Sequence, residues 1–212
     1  TRGGLVRFDG SAWVPLGGGT DSLVYGLLSH GGQLYAGGTF GRAGTTAANR
    51  VARWDGSAWA RLGSGIDGVV LDCVQFGGDL VVGGRFRGAG GVLSRGVARW
   101  NGSAWSGLGT GLESDAYAVA VLNNQLVAAG PYSGDPNGVL TSRVMRWDGS
   151  SWVEADSALF YNSVFGGVYA LAVYQGELYA AGNLRGNTDQ GFVNNIARFD
   201  GSRWRPVGAG IL

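Results

Sequence analysis

Few side chains in this sequence are suited to covalent or metal chemistry. The 212 residues include one histidine, His30, and one cysteine, Cys73, which cannot form a disulfide framework or a Cys/His zinc site. The 12 Asp and 3 Glu carry no second motif that pairs two carboxylates for acid–base work. The sequence therefore predicts no catalytic residue, no metal site and no cofactor.

All 16 basic residues are arginines, whose guanidinium groups bind carboxylates and stack on aromatic rings. Five of them begin a motif that reads Arg, aromatic, Asp or Asn, Gly, Ser, any residue, Trp, with spacings of 46, 46, 47 and 52 residues. Because this arginine recurs with the turn residues of every copy, we interpret it as a structural contact with an Asp or a Trp. The motif residues are Arg7, Asp9 and Trp13; Arg53, Asp55 and Trp59; Arg99, Asn101 and Trp105; Arg146, Asp148 and Trp152; and Arg198, Asp200 and Trp204.

The best candidates for ligand contact are residues that interrupt this repeat. The segment 154–167 carries three aromatics, Phe160, Tyr161 and Phe165, where the other copies have short Gly-rich connections. Such aromatics could stack on a sugar or anchor a protein partner, or they could fill a gap in the core. Three arginines in other long loops are further contact candidates: Arg42, Arg87 and Arg185.

Apolar runs and turn residues divide each copy into two hairpins, with four short strands that we name a, b, c and d. The a–b turns are Gly31-Gly32, Gly77-Gly78, Asn123-Asn124 and Gln175-Gly176, and the c–d turn is Asp-Gly four times and Asn101-Gly102 once. Such pairs tolerate the positive φ that a type I′ turn requires at both central residues. The sequence therefore predicts two-residue turns in both hairpins.

One four-stranded sheet cannot bury both of its faces, and no helical pattern of useful length is available to cover it. Four strands in about 40 to 50 residues, with one Trp and one pair of glycines per repeat, are typical of a β-propeller, whose blades cover one another. We predict an all-β propeller of four-stranded antiparallel blades, with aromatics of strands c and d filling the gaps between blades. The predicted blades span approximately 1–18 (partial), 19–64, 65–110, 111–157 and 158–208.

The predicted strands contain five c–d hairpins but only four a–b hairpins. We therefore expect four full repeats and an additional c–d hairpin that form part of a larger propeller. A ring completed by another copy of the chain is the alternative.

At these residues the sequence resembles the kelch-repeat propellers. In that family a strand ending Gly-Gly is followed by an aromatic on the third strand and a Trp on the fourth. Tyr35-Ala36-Gly37-Gly38, Trp54 and Trp59 fit that order, as do Gly83-Gly84, Trp100 and Trp105. The third and fourth copies depart from it with Ala129-Gly130 and Ala181-Gly182. A second resemblance, to the Asp-box turn of sialidase-like propellers, ranks lower because the Asp-to-Trp spacing is one residue shorter and Arg53 replaces the expected Ser or Thr.

In each blade the a–b and c–d turns lie on one face, and the b–c and d–a connections lie on the other. The long, varied b–c loops make the second face the candidate binding face. The kelch resemblance implies a non-catalytic scaffold or recognition module for a protein partner; carbohydrate binding through the long-loop face is the alternative, and a glycosidase-type enzyme is third.

Charge and hydropathy limit the other partners. A net charge of +1 gives no field that gathers nucleic acid, and no run of 18 apolar residues is present for membrane insertion. The absence of lysine and the Trp- and Gly-rich repeats favour a secreted or cell-surface location.

Overall fold

The computed structural model describes residues 4–132, 141–155 and 167–211. These residues form 22 β-strands and no helix. In the first half of the chain the strands are β1 Val6–Phe8, β2 Trp13–Pro15, β3 Val24–His30, β4 Gln33–Gly38, β5 Arg42–Ala43, β6 Thr46–Ala47, β7 Val51–Trp54, β8 Trp59–Arg61, β9 Val69–Phe76, β10 Asp79–Arg85, β11 Gly88–Ala89, β12 Val92–Leu93, β13 Val97–Trp100 and β14 Trp105–Gly107. In the second half they are β15 Ala118–Leu122, β16 Gln125–Tyr132, β17 Thr141–Trp147, β18 Trp152–Glu154, β19 Val168–Tyr174, β20 Glu177–Thr188, β21 Gly191–Phe199 and β22 Trp204–Pro206.

Four sheets of four antiparallel strands correspond to the predicted blades, and we number them in chain order. Their strand orders are β3-β4-β7-β8 in blade 1, β9-β10-β13-β14 in blade 2, β15-β16-β17-β18 in blade 3 and β19-β20-β21-β22 in blade 4. The additional c–d hairpin is the two-stranded sheet β1-β2. The chain divides into two compact units, residues 1–107 and 108–212.

The a–b turns have the predicted conformation. Gly31 and Gly32 both have positive φ (59° and 72°), and they connect the paired residues His30 and Gln33. The other three a–b turns also have two consecutive residues of positive φ, including Asn123 (48°) with Asn124 (62°). All four are therefore left-handed two-residue turns of the type I′ class.

The prediction for the c–d turns is wrong. Trp54 pairs with Trp59, so the loop between them has four residues, and only its glycine, Gly56, has a positive φ (103°). The physical reason is the aspartate side chain. Asp55 Oδ1 accepts hydrogen bonds of 2.8 Å from the amides of Ser57 and Ala58 and from the Ser57 hydroxyl. These bonds stabilise the longer loop, in which the Asp acts as an Asx-turn residue.

The glycines that end strand b allow two different close approaches. A Cβ on Gly37 would lie 2.3 Å from Val70 Cγ1, on strand a of the next blade. A Cβ on Gly38 would lie 1.9 Å from the carbonyl oxygen of Leu23, which leads into strand a of its own blade. The Gly pair thus serves packing within a blade as well as between blades.

The strand-d tryptophans of blades 1, 2 and 3 join each of these blades to the connection that precedes it. The indole Nε1 atoms of Trp59 and Trp105 donate to the carbonyl oxygens of Leu16 and Leu62, at 3.1 and 2.8 Å. In the second unit, Trp152 donates in the same way to the Leu108 carbonyl, at 3.2 Å. The strand-c aromatic packs against this indole in every hairpin, with ring centroids 5.1–5.5 Å apart. Tryptophan therefore supplies both apolar area and a specific hydrogen bond between repeats.

Because of the turn aspartates, we expect the folded protein to lose stability in acid. The bonds to their loops lower the pKa values of Asp9, Asp55 and Asp148 from 3.8 to about 2, and the pKa of Asp200 is lowered further. Because the folded-state values are depressed, the stabilisation is complete above about pH 4 and is lost as the pH falls towards 2. We expect the urea concentration at the midpoint of unfolding to decrease when the pH is lowered from 5 to 2.5.

The matched control replaces all four of these aspartates with Asn, since Asn101 already makes the same bonds without a charge. The variant should lose less of its stability over this pH range. Equal losses in the two proteins would show that the turn carboxylates do not cause the acid sensitivity.

Candidate functional site

The b–c loops of blades 1 and 2 fold into small hairpins of their own. In blade 1, β5 pairs with β6, and in blade 2, β11 pairs with β12. In blade 4, β20 and β21 continue past the blade to form the equivalent projection, with a register shift between Ala181 and Arg185. The candidate binding face therefore carries ordered hairpins, which can hold side chains in fixed positions.

An aspartate in the preceding d–a connection fixes each of the two small hairpins. Asp67 Oδ1 accepts a 3.0 Å hydrogen bond from the Arg87 amide, and the Asp67 amide donates to the Gly88 carbonyl at 3.1 Å. Asp21 does the same in blade 1, where its Oδ1 accepts from the amides of Gly41 and Arg42 at 2.9 and 3.0 Å. Neither aspartate is among the site residues predicted from the sequence, although their 46-residue separation equals the motif spacing.

A groove of about 590 Å³ lies between the blade 2 hairpin and the end of the blade 1 b–c loop. Two arginines and two apolar side chains give it its chemical character; they are Arg50, Arg87, Val92 and Leu93. Leu93 is 78% exposed and Val92 is 43% exposed, although both belong to a hydrogen-bonded strand. Exposed aliphatic side chains on an ordered hairpin beside a groove are typical of a contact surface.

The backbone at Arg50 is strained. Its φ is +73°, a left-handed conformation that costs a residue with a Cβ about 1 kcal/mol. The corresponding positions in blades 2 and 4 are Gly96 (74°) and Asn195 (61°), residue types that adopt this conformation more readily. Arg50 is therefore a large charged side chain at a position whose backbone favours glycine or asparagine, and it lines the groove.

The groove carries a small positive charge. Its charged side chains are Arg50, Arg87 and Asp67, which sum to +1. The Asp67 carboxylate accepts a hydrogen bond from the Arg87 amide, and Arg50 and Arg87 both line the groove. An acidic group on a ligand would meet two arginines here, and the adjacent apolar pair would contact nonpolar atoms.

The structure places the predicted contact arginines on three different hairpins. Arg87 lines the groove. Arg42 is exposed on β5, where its Nη2 donates to the Thr45 carbonyl at 2.8 Å, and Arg185 is exposed on β20. The predicted aromatics Phe160, Tyr161 and Phe165 lie outside the described residues.

Two of the recurring motif arginines make ion pairs with the first residue of strand b. Arg99 Nε bonds Asp79 Oδ2, and Arg198 Nη1 lies 3.0 and 2.9 Å from the two carboxylate oxygens of Glu177. The equivalent strand-b residue is Gln33 in blade 1 and Gln125 in blade 3. Contact with an acid at the start of strand b is a role that the motif alone did not identify.

A second concavity, of about 360 Å³, lies within the second unit. Three carboxylates, those of Glu113, Asp115 and Glu154, line it together with Arg143 and Trp152. Arg143 Nε lies 3.7 Å from Glu154 Oε1 and forms an ion pair with it. This is where the described residues bring acidic side chains together, and a test of glycosidase activity would begin here.

The thiol of Cys73 is buried. Burial, together with the negative charge of Asp72, raises the pKa of the Cys73 thiol to about 12. A thiol of this kind is not a nucleophile near neutral pH.

Among residues 4–132, 141–155 and 167–211, no three His, Cys, Asp or Glu side chains form a group that could hold a metal ion. The same residues include no helix that is long and apolar enough to cross a membrane.

Comparison with solved structures identifies the fold. The computationally designed Ika4 protein superposes with a TM-score of 0.51 at 15% identity, over 85% of this chain and 92% of Ika4. The chain is a β-propeller built from four-stranded antiparallel blades. At this identity the similarity concerns the fold alone.

Two other structures show weaker similarity to the propeller. The designed Ika8 protein has a TM-score of 0.46 at 14% identity, over 83% of this chain and 59% of that chain. An alpha-L-arabinofuranosidase from Clostridium thermocellum has a TM-score of 0.40 at 16% identity, over 87% and 70%. No protein-family model matches the chain, and no curated protein matches it.

The aspartate that fixes the blade 2 hairpin provides a local test of the site. Replacing Asp67 with Ala removes the acceptor of the Arg87 amide, so we expect faster amide hydrogen exchange in residues 87–93. Asp21→Ala is the matched control and should increase exchange in residues 41–47 instead. Unchanged exchange in residues 87–93 of the Asp67→Ala protein would contradict the proposed anchoring.

Proposed function

We propose that the propeller is a non-catalytic recognition module that binds a protein segment in the groove between the blade 2 hairpin and the end of the blade 1 b–c loop. The segment that fits the groove carries an acidic side chain for Arg50 and Arg87 and an adjacent apolar side chain for Val92 and Leu93. The kelch resemblance is part of this proposal, because protein contact is the commonest role of that family. The proposal retains the expectation of a secreted or cell-surface location.

The strained backbone of Arg50 is the observation that carries the proposal. A residue with φ of +73° reduces stability unless it is glycine, and blade 2 has Gly96 at the corresponding position. The apolar contact residues are also held by specific bonds. The amide of the buried Ser94, which follows Leu93, donates to the Arg87 carbonyl at 2.9 Å, and the Ser94 hydroxyl donates to the Val97 carbonyl at 2.5 Å. A pre-ordered surface of this kind loses little conformational entropy when it binds.

Carbohydrate binding is the second candidate, and a pair of tyrosines favours it. The rings of Tyr117 and Tyr169 stack with centroids 5.7 Å apart and an interplanar angle of 15°. Tyr169 is 55% exposed and stands near the start of strand a, on the side of the d–a connections. An exposed flat aromatic surface is suited to stacking against a sugar ring.

Selection of a displayed random peptide library against the folded chain tests the proposal. We expect the enriched peptides to combine Asp or Glu with a large apolar residue. Replacing Arg87 with Ala, or Leu93 with Ser, should weaken their binding by about tenfold, the effect of losing one strong interface contact. Arg61→Ala is the matched control, because Arg61 is exposed in the same unit and does not line the groove.

Two outcomes would overturn the proposed groove. The first is a library that yields no binder, and the second is a set of binders that the Arg87 and Leu93 variants bind unchanged. A glycan array screened with the same protein tests carbohydrate binding, the second candidate function. Glycan binding that disappears in Tyr169→Ala and persists in Arg87→Ala would assign the function to the tyrosine pair.

A further inference from the structure

The loops between strands c and d differ in one chemically important residue. Each loop has Gly and then Ser after its first residue, and that first residue is Asp in four copies but Asn101 in blade 2. Asn101-Gly102-Ser103 is the one place in the 212 residues where Asn is followed by a residue other than Pro and then by Ser or Thr. This sequence is the acceptor pattern for N-linked glycosylation, in which an oligosaccharide is attached to the asparagine amide nitrogen.

The blade 2 loop is held by the oxygen of the Asn101 side chain and not by its nitrogen. Oδ1 accepts hydrogen bonds from the Ser103 amide at 3.0 Å and from the Ser103 hydroxyl and the Ala104 amide at 2.9 Å. The Asp55 oxygen accepts the corresponding three bonds in blade 1. Within the part of the chain that the structure describes, Asn101 Nδ2 has no hydrogen-bond partner. Asn at this position therefore keeps the loop and adds one unbonded amide nitrogen.

The loop has room for a large group on this nitrogen. Residues 101–104 are all exposed, and a Cβ on Gly102 would have no atom within 4 Å. A glycosylated asparagine retains its amide carbonyl, so Oδ1 would continue to accept its three hydrogen bonds. The folded loop is therefore compatible with the modified side chain.

The loop lies at the end of blade 2 that faces away from the groove. It follows Trp100, the last residue of β13, whereas the hairpin β11-β12, which lines the groove, precedes Val97 at the other end of this strand. The two ends of a four-residue strand are about 10 Å apart. A glycan on Asn101 would cover the face of the turns and leave the candidate binding face open.

We propose that Asn101 is the acceptor of one N-linked oligosaccharide, which is transferred from a lipid-linked oligosaccharide diphosphate when the chain is exported. In this transfer Asn101 Nδ2 attacks the anomeric carbon of the donor, and a carbon–nitrogen bond forms. The bond from that carbon to the diphosphate oxygen breaks, the lipid diphosphate leaves with the electron pair, and Nδ2 loses one proton. The inference rests on the secreted or cell-surface location proposed above and not on the peptide groove.

Translation of the full chain in the presence of endoplasmic-reticulum microsomes tests this site, with a cleavable export signal placed before Thr1. The microsomes provide the lipid-linked donor and the transferase, and mass spectrometry is applied to the chains that the microsomal membrane protects from protease. We expect one oligosaccharide on the peptide that contains Asn101. Asn101→Asp should abolish the modification without disturbing the fold, because four other loops of the chain have Asp at this position.

A matched variant moves the acceptor to another blade. Asp55→Asn places the same Asn-Gly-Ser sequence in the blade 1 loop, whose oxygen already accepts the same three bonds. Combined with Asn101→Asp, it should restore one oligosaccharide, now on the peptide that contains residue 55. The urea midpoint of the unmodified variants at pH 7 should equal that of the original chain, which shows that each variant is folded.

Three outcomes would overturn the proposal. The first is a protected original chain that carries no oligosaccharide; because the microsomes supply the export, this result would count against Asn101 and not against the proposed location or the groove. The second is an oligosaccharide that the Asn101→Asp chain retains, which would assign the acceptor to another residue. The third is a combined Asn101→Asp and Asp55→Asn chain that stays unmodified, which would show that this loop does not present its amide nitrogen to the transferase.

Discussion

The hydrogen bond from the strand-d indole to the preceding connection, made in blades 1, 2 and 3, is the contact on which the rest of this structure depends. A four-stranded blade buries only part of its surface by itself, so its stability comes from packing against neighbouring repeats. The indoles of Trp59, Trp105 and Trp152 each reach a carbonyl 43 or 44 residues earlier in the chain. Because the donor lies on strand d and the acceptor lies just after the previous strand d, the bond fixes the distance from one repeat to the next.

The candidate binding face follows from that contact. The d–a connection held by Trp105 begins at Leu62 and continues to Asp67, whose carboxylate fixes the blade 2 hairpin. The same connection also contacts the blade 1 b–c loop, where the Asn49 side-chain amide donates to the Ser64 carbonyl at 2.9 Å and the Ile66 amide donates to the Asn49 carbonyl at 3.0 Å. One short connection thus positions both walls of the groove. The strain at Arg50 persists because these neighbouring bonds hold its backbone in place.

Much of the fold could be predicted from the sequence because its signals are local and repeated. Two consecutive residues that tolerate positive φ identify the a–b turns, and the Trp and Gly pairs indicate the blades. The c–d turn could not be predicted from the Asp-Gly pair, because its length depends on which amides the Asp55 carboxylate reaches. The positions of Arg50 and Asp67 in the site depend on contacts between different repeats, which no local pattern encodes. Arg87 could be predicted as a contact candidate because it is a charged side chain in one of the long b–c loops, which are visible in the sequence.

The contribution of the indole hydrogen bond can be measured as the free energy of unfolding of two tryptophan variants. Trp105→Phe keeps an aromatic ring in the buried site but leaves the Leu62 carbonyl without its indole donor, whereas Trp13 is 69% exposed. We expect Trp105→Phe to lower the free energy of unfolding by about 2 kcal/mol, because a buried polar group loses its partner. Trp13→Phe should change it by less than about 0.5 kcal/mol. Equal effects of the two substitutions would contradict the central role of the bond between repeats.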